Sequence, residues 1–178
     1  MGASRHAIPT SVPNVTNLTP SHKGAAAEAA IAAALIRLGL VVLWPMCEGG
    51  RYDLVVDTGE RLLRIQCKWA SRKGGVLAAR CSTSRHTPAG YRRTTYSIDE
   101  VDAVAIYASH TNACYLVPIA EVAGCKTISL RLSPPLNNQA LRVHWARDYE
   151  LARSLQRNWN ALPECPSVVE DAAVGAVG

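Results

Sequence analysis

Apolar and polar residues change their spacing along the chain, and each change predicts a different element. Residues 21–38 are rich in alanine and carry few charges, and their larger apolar residues are spaced three or four apart, which is typical of a helix packed on one side. We predict that Ser21 caps this helix and that Gly39 ends it. Residues 40–44 then form a predicted strand that ends at Pro45.

Two further strands are predicted on either side of a short turn. Residues 52–57 and 62–69 are both strand-like, and residues 58–60 form the turn between them. In the second strand, residue types alternate with a period of two, so one face is polar and the other apolar. The polar face carries Arg64, Gln66 and Lys68, and the apolar face carries Leu63, Ile65, Cys67 and Trp69.

The remainder of the chain predicts a mixed α/β fold. Residues 70–95 are mostly polar and basic, which favours a loop or short hairpin, with a further strand at 76–81. The near-continuous apolar run at 101–108 predicts a central strand buried on both faces. The other predicted elements are strands at 114–118 and 126–132, the latter at an edge, and helices at 119–123 and 149–159.

Composition indicates one folded domain with a tail at each end. The chain has 178 residues, of which 48% are hydrophobic, which is enough for one buried core and excludes wholesale disorder. We expect a disordered arm over residues 1–20, a domain over 21–159 and a flexible tail over 160–178. No apolar run is long enough to span a membrane and the first residues do not form a signal peptide, so a cytoplasmic location is expected.

The cysteines are spaced in a way that favours reduced thiols. There are six, none in a C-x-x-C pair, and the histidines are scattered. Cys67, Cys114 and Cys125 lie in or beside apolar segments, so we expect buried thiols rather than disulfides or zinc ligands. A zinc-binding protein built on the cysteines is left as an alternative.

Candidate chemistry is concentrated where the two neighbouring strands meet. A hairpin that joins residues 52–57 to 62–69 brings Asp53 beside Gln66 and Lys68. One carboxylate, one amide oxygen and one ammonium then converge, which suits a hard divalent cation and an attacking water. The alternative is that Lys68 pairs with Asp53 in a site without metal and that Gln66 is an ordinary exposed strand residue.

Glu28 is the only acid in the first predicted helix. Ile31, Leu35 and Leu38 lie three, seven and ten residues beyond it, on the same broad stripe. A carboxylate on the buried side is costly without a cation or a hydrogen-bonding partner nearby. Glu28 therefore either contributes to the candidate site or lies at the edge of the stripe and reaches solvent.

A basic stretch begins within the candidate site and continues beyond it. The net charge is +5, and no Asp or Glu occurs between Arg61 and Arg93. A long run of one sign suits a polyphosphate partner, the alternative being a solvated face that serves only solubility. The basic residues of the run are Arg61, Arg64, Lys68, Arg72, Lys73, Arg80, Arg85, Arg92 and Arg93.

The order of the candidate residues resembles that of the PD-(D/E)XK nuclease superfamily. An acid lies on the first helix, a second acid opens the second strand, and Gln66-Cys67-Lys68 lies on the third. The closer similarity is to the branch that includes group I intron homing endonucleases. Further matches are Lys23-Gly24, Leu38-Gly39, Pro45, Tyr52-Asp53-Leu54, residues 99–107 and Tyr115-Leu116-Val117-Pro118, so the similarity covers roughly residues 22–150.

The resemblance implies a restriction-endonuclease-like α/β core, with a mixed central sheet of α-β-β-β-α-β type. It also implies a Mg²⁺-dependent endodeoxyribonuclease, with Mn²⁺ as a substitute ion. The implied catalytic residues are Glu28, Asp53, Gln66 and Lys68, and the implied metal ligands are Asp53, Gln66, the backbone carbonyl of Cys67 and Glu28. In this scheme Lys68 orients the nucleophile or offsets charge on the phosphorane.

The same resemblance implies a DNA partner and an oligomer. Cutting two strands with one site per chain calls for a homodimer or a homotetramer. The implied contacts to double-stranded or branched DNA are Lys23, Arg64, Arg72, Lys73, Arg80, Arg85, Arg92 and Arg93, with Tyr91 and Tyr96 as further candidates.

One departure from the superfamily leaves the activity open. Gln66 stands where Asp or Glu is usual, although Gln at this place is similar to the homing-endonuclease branch. A neutral amide binds a divalent ion more weakly than a carboxylate does. A catalytically silent DNA-binding module is therefore an alternative. A Holliday-junction or branched-DNA resolvase is a further alternative, because the same core serves junction cleavage in related families.

Overall fold

The computed structural model of the protein describes residues 18–47, 49–87, 90–134 and 143–160. Within these ranges, the side chains of residues 84–87, 91 and 92 are not part of the description. Most of the predicted N-terminal arm and all but the first residue of the predicted C-terminal tail, with Cys165, lie outside the described residues.

Helix α1 spans Pro20–Arg37 and begins one residue earlier than the sequence predicted. Its N-cap is Thr19, whose Oγ1 accepts a hydrogen bond from the backbone N–H of His22 at 3.2 Å. The prediction of Ser21 as the cap was wrong. Proline suits the first helical position because its φ angle is already helical and its missing N–H would have no partner there. The helix therefore begins at Pro20, earlier in the sequence than predicted.

The predicted end of α1 is confirmed. Gly39 has a φ angle of 82°, which residues with a side chain rarely adopt. Its N–H donates to the carbonyl of Ile36 at 2.9 Å, and the N–H of Leu40 donates to the carbonyl of Leu35 at 3.3 Å. These two bonds close the last turn of the helix and direct the chain back into the sheet.

Strands make up most of the rest of the described chain. Their bounds are β1 Val41–Leu43, β2 Leu54–Asp57, β3 Leu62–Trp69, β4 Ser71–Lys73, β5 Val76–Arg80, β6 Ser82–Thr87, β7 Gly90–Thr95, β8 Ala103–Ala108, β9 Ala113–Pro118 and β10 Thr127–Arg131. The helical elements after α1 are α2 at Ile119–Val122, a 3₁₀ turn at Ala146–Tyr149 and α3 at Leu151–Trp159.

The central sheet is mixed, which confirms the predicted fold class. Its strand order is β1-β2-β3-β8-β9. The β3–β8 pair is parallel and the other three pairs are antiparallel. Parallel neighbours need a long crossover, which is commonly a helix. Here strands β4 to β7 supply it, and the helices α2 and α3 follow β9 instead.

The crossover contains more strand than its polar sequence predicted. Strands β10, β5 and β4 form a three-stranded sheet in that order, and β6 pairs with β7 in a separate ribbon. In β5 the side chains of Leu77 and Ala79 are buried while Arg80 is exposed, so the strand packs on one face only. The buried face of Leu77 and Ala79 is enough to hold β5 as a strand within a crossover that is otherwise mostly polar.

The core has two layers, one on each face of the central sheet. Helix α1 contributes Ala27, Ile31, Ala32 and Leu35 to one layer, against the sheet and α3. The other layer packs the sheet against β5 and β10, with Leu77, Ile128 and Leu130 among its members. Strand β8 is buried on both faces, as its continuous apolar sequence predicted.

Two smaller predictions have different outcomes. Strand β10 lies at an edge of its sheet, as expected. Cys125 is exposed rather than buried, because the turn at Gly124, with a φ angle of 76°, carries it away from the core before β10 begins. Cys67 and Cys81 are buried, Cys114 is half-buried, and the cysteines of the described ranges are free thiols. Among the same residues, no helix is long and apolar enough to cross a membrane.

Candidate active site

The candidate site lies where β2 and β3 separate. The backbone N–H of Asp53 donates to the carbonyl of Ile65 at 2.9 Å, one residue before β2 begins. Strand β3 continues for four residues beyond Ile65, past the point where its pairing with β2 stops. The backbone N–H of Cys67 points to this side and has no β2 carbonyl to donate to. The carboxylate of Asp53 fills this place, since its Oδ2 accepts the N–H of Cys67 at 2.8 Å.

Gln66 is bound to the same carboxylate oxygen. Its Nε2 donates to Oδ2 of Asp53, and the side chain is only 5% exposed. Gln66 is therefore a buried, partnered residue and not an ordinary exposed strand residue. The antiparallel register, with Leu54 opposite Ile65, places Asp53 and Gln66 on the same face of the sheet.

Lys68 lies two residues beyond Gln66, on the same face of β3, and is half-buried. Burial lowers the pKa of its amine, because a charged ammonium is less well solvated there. The negative charges of Asp53 and Glu28 act in the opposite direction. The ammonium thus lies in the field of both acids, which α1 and the start of β2 bring together from distant parts of the sequence.

The two acids are also incompletely solvated. Burial raises the pKa of Glu28, and the nearby charge of Asp53 raises it further. Burial likewise raises the pKa of Asp53, opposed by the hydrogen bond from Cys67, the charge of Lys68 and the bond from Gln66. Two carboxylates with raised pKa values and an amine with a lowered one form a group whose charges the protein compensates only in part.

Both acids face an open cleft between α1 and the segment that connects β1 to β2. The cleft has a volume of about 260 Å³ and is lined by Glu28, Trp44, Pro45, Cys47, Gly49, Gly50, Tyr52 and Asp53. A ligand that enters from solvent can therefore reach the two carboxylates without any rearrangement of the core.

The donor set of the cleft suits a hard cation. The two hydrogen bonds to Asp53 are both made to Oδ2, so Oδ1 takes part in neither. Burial raises the pKa of the Cys67 thiol well above its usual value, which disfavours the thiolate that a sulfur ligand would need. A half-turn of the Gln66 amide would present Oε1 in place of Nε2. These oxygens are of the kind that Mg²⁺ and Mn²⁺ prefer.

The set is nevertheless poor in charge. Within the described ranges, no group of three or more His, Cys, Asp or Glu side chains is placed to hold a metal ion. The candidate site has two carboxylates, and its other oxygens are neutral. We therefore expect weaker ion binding than a three-carboxylate site would give. The same observation leaves the zinc alternative without support in these residues.

Arg64 lies at the opposite end of the polar face of β3 and is bound within the protein. Its Nε is 3.1 Å from Oδ2 of Asp102, and its backbone N–H donates to the same oxygen at 2.8 Å. The guanidinium also donates to the carbonyl of Asp99. Arg64 was predicted to bind DNA, and its side chain is already held by bonds to Asp102 and to the carbonyl of Asp99.

The other basic residues are spread over the crossover strands. Arg72 and Lys73 on β4, Arg80 at the end of β5 and Arg93 on β7 are exposed, and Lys23 in the first turn of α1 is half-buried. Arg85 and Arg92 are opposite each other on the β6–β7 ribbon, and their side chains, like that of Tyr91, lie outside the description. Tyr96 is 1% exposed, so its predicted contact with DNA is excluded and it packs locally instead.

Sequence reasoning did not select Arg51, which makes contacts close to the candidate site. Its guanidinium lies 4.6 Å from the centre of the Tyr96 ring, and Lys68 Nζ lies 5.3 Å from the same centre. Arg51 belongs to no periodic segment, and its partners come from more than thirty positions further along the chain. The proximity of Arg51 to Asp53 in the sequence was the one available signal.

The fold and the polar group at the start of β2 together define a protein of the nuclease class. A family model described as PD-(D/E)XK endonuclease matches residues 18–152. This match covers most of the chain, and the protein belongs to the PD-(D/E)XK endonuclease family. The resemblance found from the order of Glu28, Asp53 and Gln66-Cys67-Lys68 is thereby confirmed.

A solved structure supports the same fold. The protein is similar to a bacterial homing endonuclease, I-Ssp6803I, with a TM-score of 0.61 and 24% sequence identity. The alignment covers 78% of this chain and 93% of the other. No curated protein matches the sequence.

Proposed function

We propose that the protein is a metal-dependent endonuclease that hydrolyses phosphodiester bonds of double-stranded DNA. The observation that carries the proposal is the convergence of Asp53, Gln66, Lys68 and Glu28 beside an open cleft, at the point where β2 and β3 separate. The family match supports a nuclease, and the incompletely compensated charges support a site that receives a cation and a phosphate.

In this proposal Asp53 is the central ligand for Mg²⁺, or for Mn²⁺ in its place. Gln66, the carbonyl of Cys67 and Glu28 complete the set, with Glu28 acting directly or through a water molecule. A bound ion would polarise the scissile phosphate and lower the pKa of a coordinated water. The hydrogen bonds from Cys67 and Gln66 fix the orientation of the Asp53 carboxylate before any ligand arrives.

Lys68 supplies the positive charge on the protein side of the reaction. Its ammonium either orients the attacking water or offsets the charge that develops on the phosphorane. Partial burial strengthens such an interaction, because little water is present to screen it. The field of Asp53 and Glu28 helps to keep the amine protonated despite its burial.

The basic residues of the crossover, together with Lys23 on α1, form the proposed DNA-binding surface. Contacts with phosphates need no particular sequence and depend on positive charge at the right spacing. We assign this role to Lys23, Arg72, Lys73, Arg80 and Arg93, with Arg85 and Arg92 on the same ribbon. Since one chain supplies one cleft, we also propose that a homodimer or homotetramer makes the double-strand cut.

The experiment that tests this function is incubation of the protein with Mg²⁺ or Mn²⁺ and labelled duplex, four-way-junction and flap DNA. We expect the wild type to cut duplex DNA and Asp53→Ala to leave it intact. Asp57→Ala is a matched control, because Asp57 lies at the other end of β2, where its side chain accepts the N–H of Gly59 in the turn at 2.8 Å. Cleavage of junctions alone would indicate a resolvase.

A second candidate function has one observation in its favour. Gln66 is neutral and already donates to Asp53, so the group is held together without a metal ion. A catalytically silent DNA-binding module on the same fold would have this property. The module would be favoured over the nuclease if neither the wild type nor Asp53→Ala cuts any substrate and the wild type binds DNA in a salt-dependent way.

A further inference from the structure

Tyr96 lies behind the candidate site and contacts two cations. The residue follows β7 and is 1% exposed. The guanidinium carbon of Arg51 is 4.6 Å from the centre of its ring, and Nζ of Lys68 is 5.3 Å from it. An aromatic ring attracts a cation within about 6 Å of its centre. The ring therefore contributes to the placement of the Lys68 ammonium, which Asp53 and Glu28 attract from the cleft side.

Arg51 is itself held by the base of the β6–β7 ribbon. Its Nη1 donates to the hydroxyls of Thr83 at 2.8 Å and Thr94 at 3.2 Å, which lie opposite each other on the two strands. Its Nη2 donates to the carbonyl of Thr95 at 2.5 Å and to Glu100 at 2.8 Å. Nε is 2.8 Å from the other oxygen of Glu100, an ion-pair contact that lacks hydrogen-bond geometry.

Each of the two cations near the ring has acids beside it. Glu100 pairs with Arg51, and Asp53 and Glu28 face Lys68. Two cations near one ring would otherwise repel each other strongly in a site with little water. The ring therefore separates the Arg51–Glu100 ion pair from a group whose charges are compensated only in part and that can receive a ligand.

The hydroxyl of Tyr96 takes no part in these contacts. Its oxygen is buried and has no hydrogen-bond partner within the described residues. The aromatic ring, which phenylalanine shares, therefore makes the contacts with Arg51 and Lys68. This separates the effect of the ring from that of the hydroxyl and makes the two experimentally distinguishable.

We propose that Tyr96 and Arg51 are positioning residues for Lys68. The ring of Tyr96, fixed by Arg51, sets the position of the ammonium, and Arg51 ties that position to the ribbon on which the exposed Arg93 lies. This inference rests on the proposed nuclease function. It adds to that function a link between the strands that face DNA and the residue that acts on the phosphate.

The first test compares Tyr96→Phe with Tyr96→Leu. In single-turnover cleavage at saturating DNA, we expect Tyr96→Phe to stay within about twofold of the wild type and Tyr96→Leu to fall at least about tenfold. DNA affinity, measured in EDTA, should be unchanged in both, so the loss appears in the rate and not in binding. Tyr115→Leu is the control, because Tyr115 is a buried tyrosine of the same core layer on β9.

Three outcomes of this comparison would overturn the proposal. An equal loss in Tyr96→Phe and Tyr96→Leu would assign the effect to the hydroxyl rather than to the ring. A folded Tyr96→Leu protein that cleaves at the wild-type rate would show that the ring does not position Lys68. A loss in Tyr115→Leu as large as that in Tyr96→Leu would reduce the effect to general destabilisation of the core.

The second test reads the position of Lys68 by NMR and does not depend on activity. The chain has four lysines, so protein labelled with [ε-¹³C]lysine gives four signals, and Lys68→Arg identifies the relevant one. We expect the ε-methylene protons of Lys68 to be shifted upfield by the ring of Tyr96, and to remain so in Tyr96→Phe. A Lys68 signal at the position of the other three would overturn the proposal. If the wild type cuts no DNA, the proposed function fails while this test still decides the placement of Lys68.

Discussion

Strand β3 carries two polar groups on one face, and they differ in how well their charges are compensated. At its start, Arg64 and Asp102 form an ion pair with a second bond from the backbone. Burial acts to raise the pKa of Asp102, but the hydrogen bonds from Arg64 outweigh it, and the pKa lies below its usual value. At its end, the pKa of Asp53 is raised and that of Lys68 is lowered.

The difference separates a structural pair from a candidate functional one. A charge whose partners are complete stabilises the fold and has little left to offer a ligand. A charge that burial disfavours costs stability, and a cation or phosphate that compensates it recovers that cost on binding. Sequence alternation placed Arg64, Gln66 and Lys68 on one face without distinguishing the two situations. Their partners on other elements make the distinction.

The largest expected effect is a double contrast between the two acids. Asp53→Asn should lower the cleavage rate by about a thousandfold or more, because it removes the central charge of the site. The same change should raise the melting temperature, since it removes a carboxylate that burial disfavours. Asp102→Asn should do the opposite, with a cleavage rate close to the wild type and a lower melting temperature.

Single-turnover cleavage and thermal unfolding in EDTA, run on the same preparations, measure the two quantities. A folded Asp102→Asn protein that is as inactive as Asp53→Asn would erase the contrast. So would an Asp53→Asn protein with a melting temperature well below that of the wild type.

The second contrast compares the two cations of the strand. Lys68→Met should reduce the cleavage rate by about a hundredfold to a thousandfold while the protein keeps its stability. Arg64→Met leaves Asp102 without its main partner and should cost about 1.5–3 kcal/mol of unfolding free energy, with much less effect on the rate at saturating DNA. Urea unfolding and rate measurements check both variants, and a stability loss in Lys68→Met as large as that in Arg64→Met would contradict the account.

The third contrast is the pH dependence of stability. Because the folded-state pKa of Asp102 lies below its ordinary 3.8, its contribution is complete above that pH and is lost as the pH falls through the folded-state value. The raised pKa of Asp53 has the reverse effect: its ionisation costs stability as the pH rises from 3.8 towards the folded-state value.

Urea midpoints of the wild type, Asp53→Asn and Asp102→Asn, measured in EDTA from about pH 3 to about pH 8, test this assignment. The advantage of the wild type over Asp102→Asn should shrink below pH 3.8, and the advantage of Asp53→Asn over the wild type should grow above it. Parallel curves for the two variants would show that the acids do not differ in the way proposed.

The smallest expected effect concerns the proposed DNA-binding surface. Arg93→Ala should weaken DNA binding several-fold and lower the slope of log affinity against log salt by about 0.9, the contribution of one phosphate contact. Arg153→Ala is the control, because Arg153 lies on α3 and forms an exposed pair with Asp148. Salt titrations of fluorescence anisotropy measure both, and equal slopes for Arg93→Ala and wild type would remove Arg93 from the surface.

Local patterns predicted most of what the structure shows near β3. The period of two placed Gln66 and Lys68 on the polar face, and the apolar run at 101–108 identified the central strand next to it. Gly39 gave the end of α1 because only a residue with a positive φ angle makes that turn readily. These features depend on neighbours in the sequence, so the sequence was enough to find them.

Features that depend on distant residues were not predictable in the same way. The bond between Arg64 and Asp102 joins positions 38 residues apart, and no pattern around Arg64 distinguishes a paired arginine from one that binds DNA. The contacts of Arg51 with Thr83, Thr94 and Glu100 likewise depend on how the ribbon folds back. The Thr19 cap was missed for a local reason, since Ser21 has equally suitable chemistry and only the preference of Pro20 for the first turn decides between them.

The central claim, that the group at the start of β2 is a metal-dependent catalytic site, is tested most directly by titrating the DNA-free protein with Mn²⁺ in a calorimeter. The account predicts binding at the cleft of the wild type and of the control Asp57→Ala, and its loss in Asp53→Ala. Identical heats for wild type and Asp53→Ala would contradict the account. So would a wild type that binds no Mn²⁺, both without DNA and with a DNA substrate present.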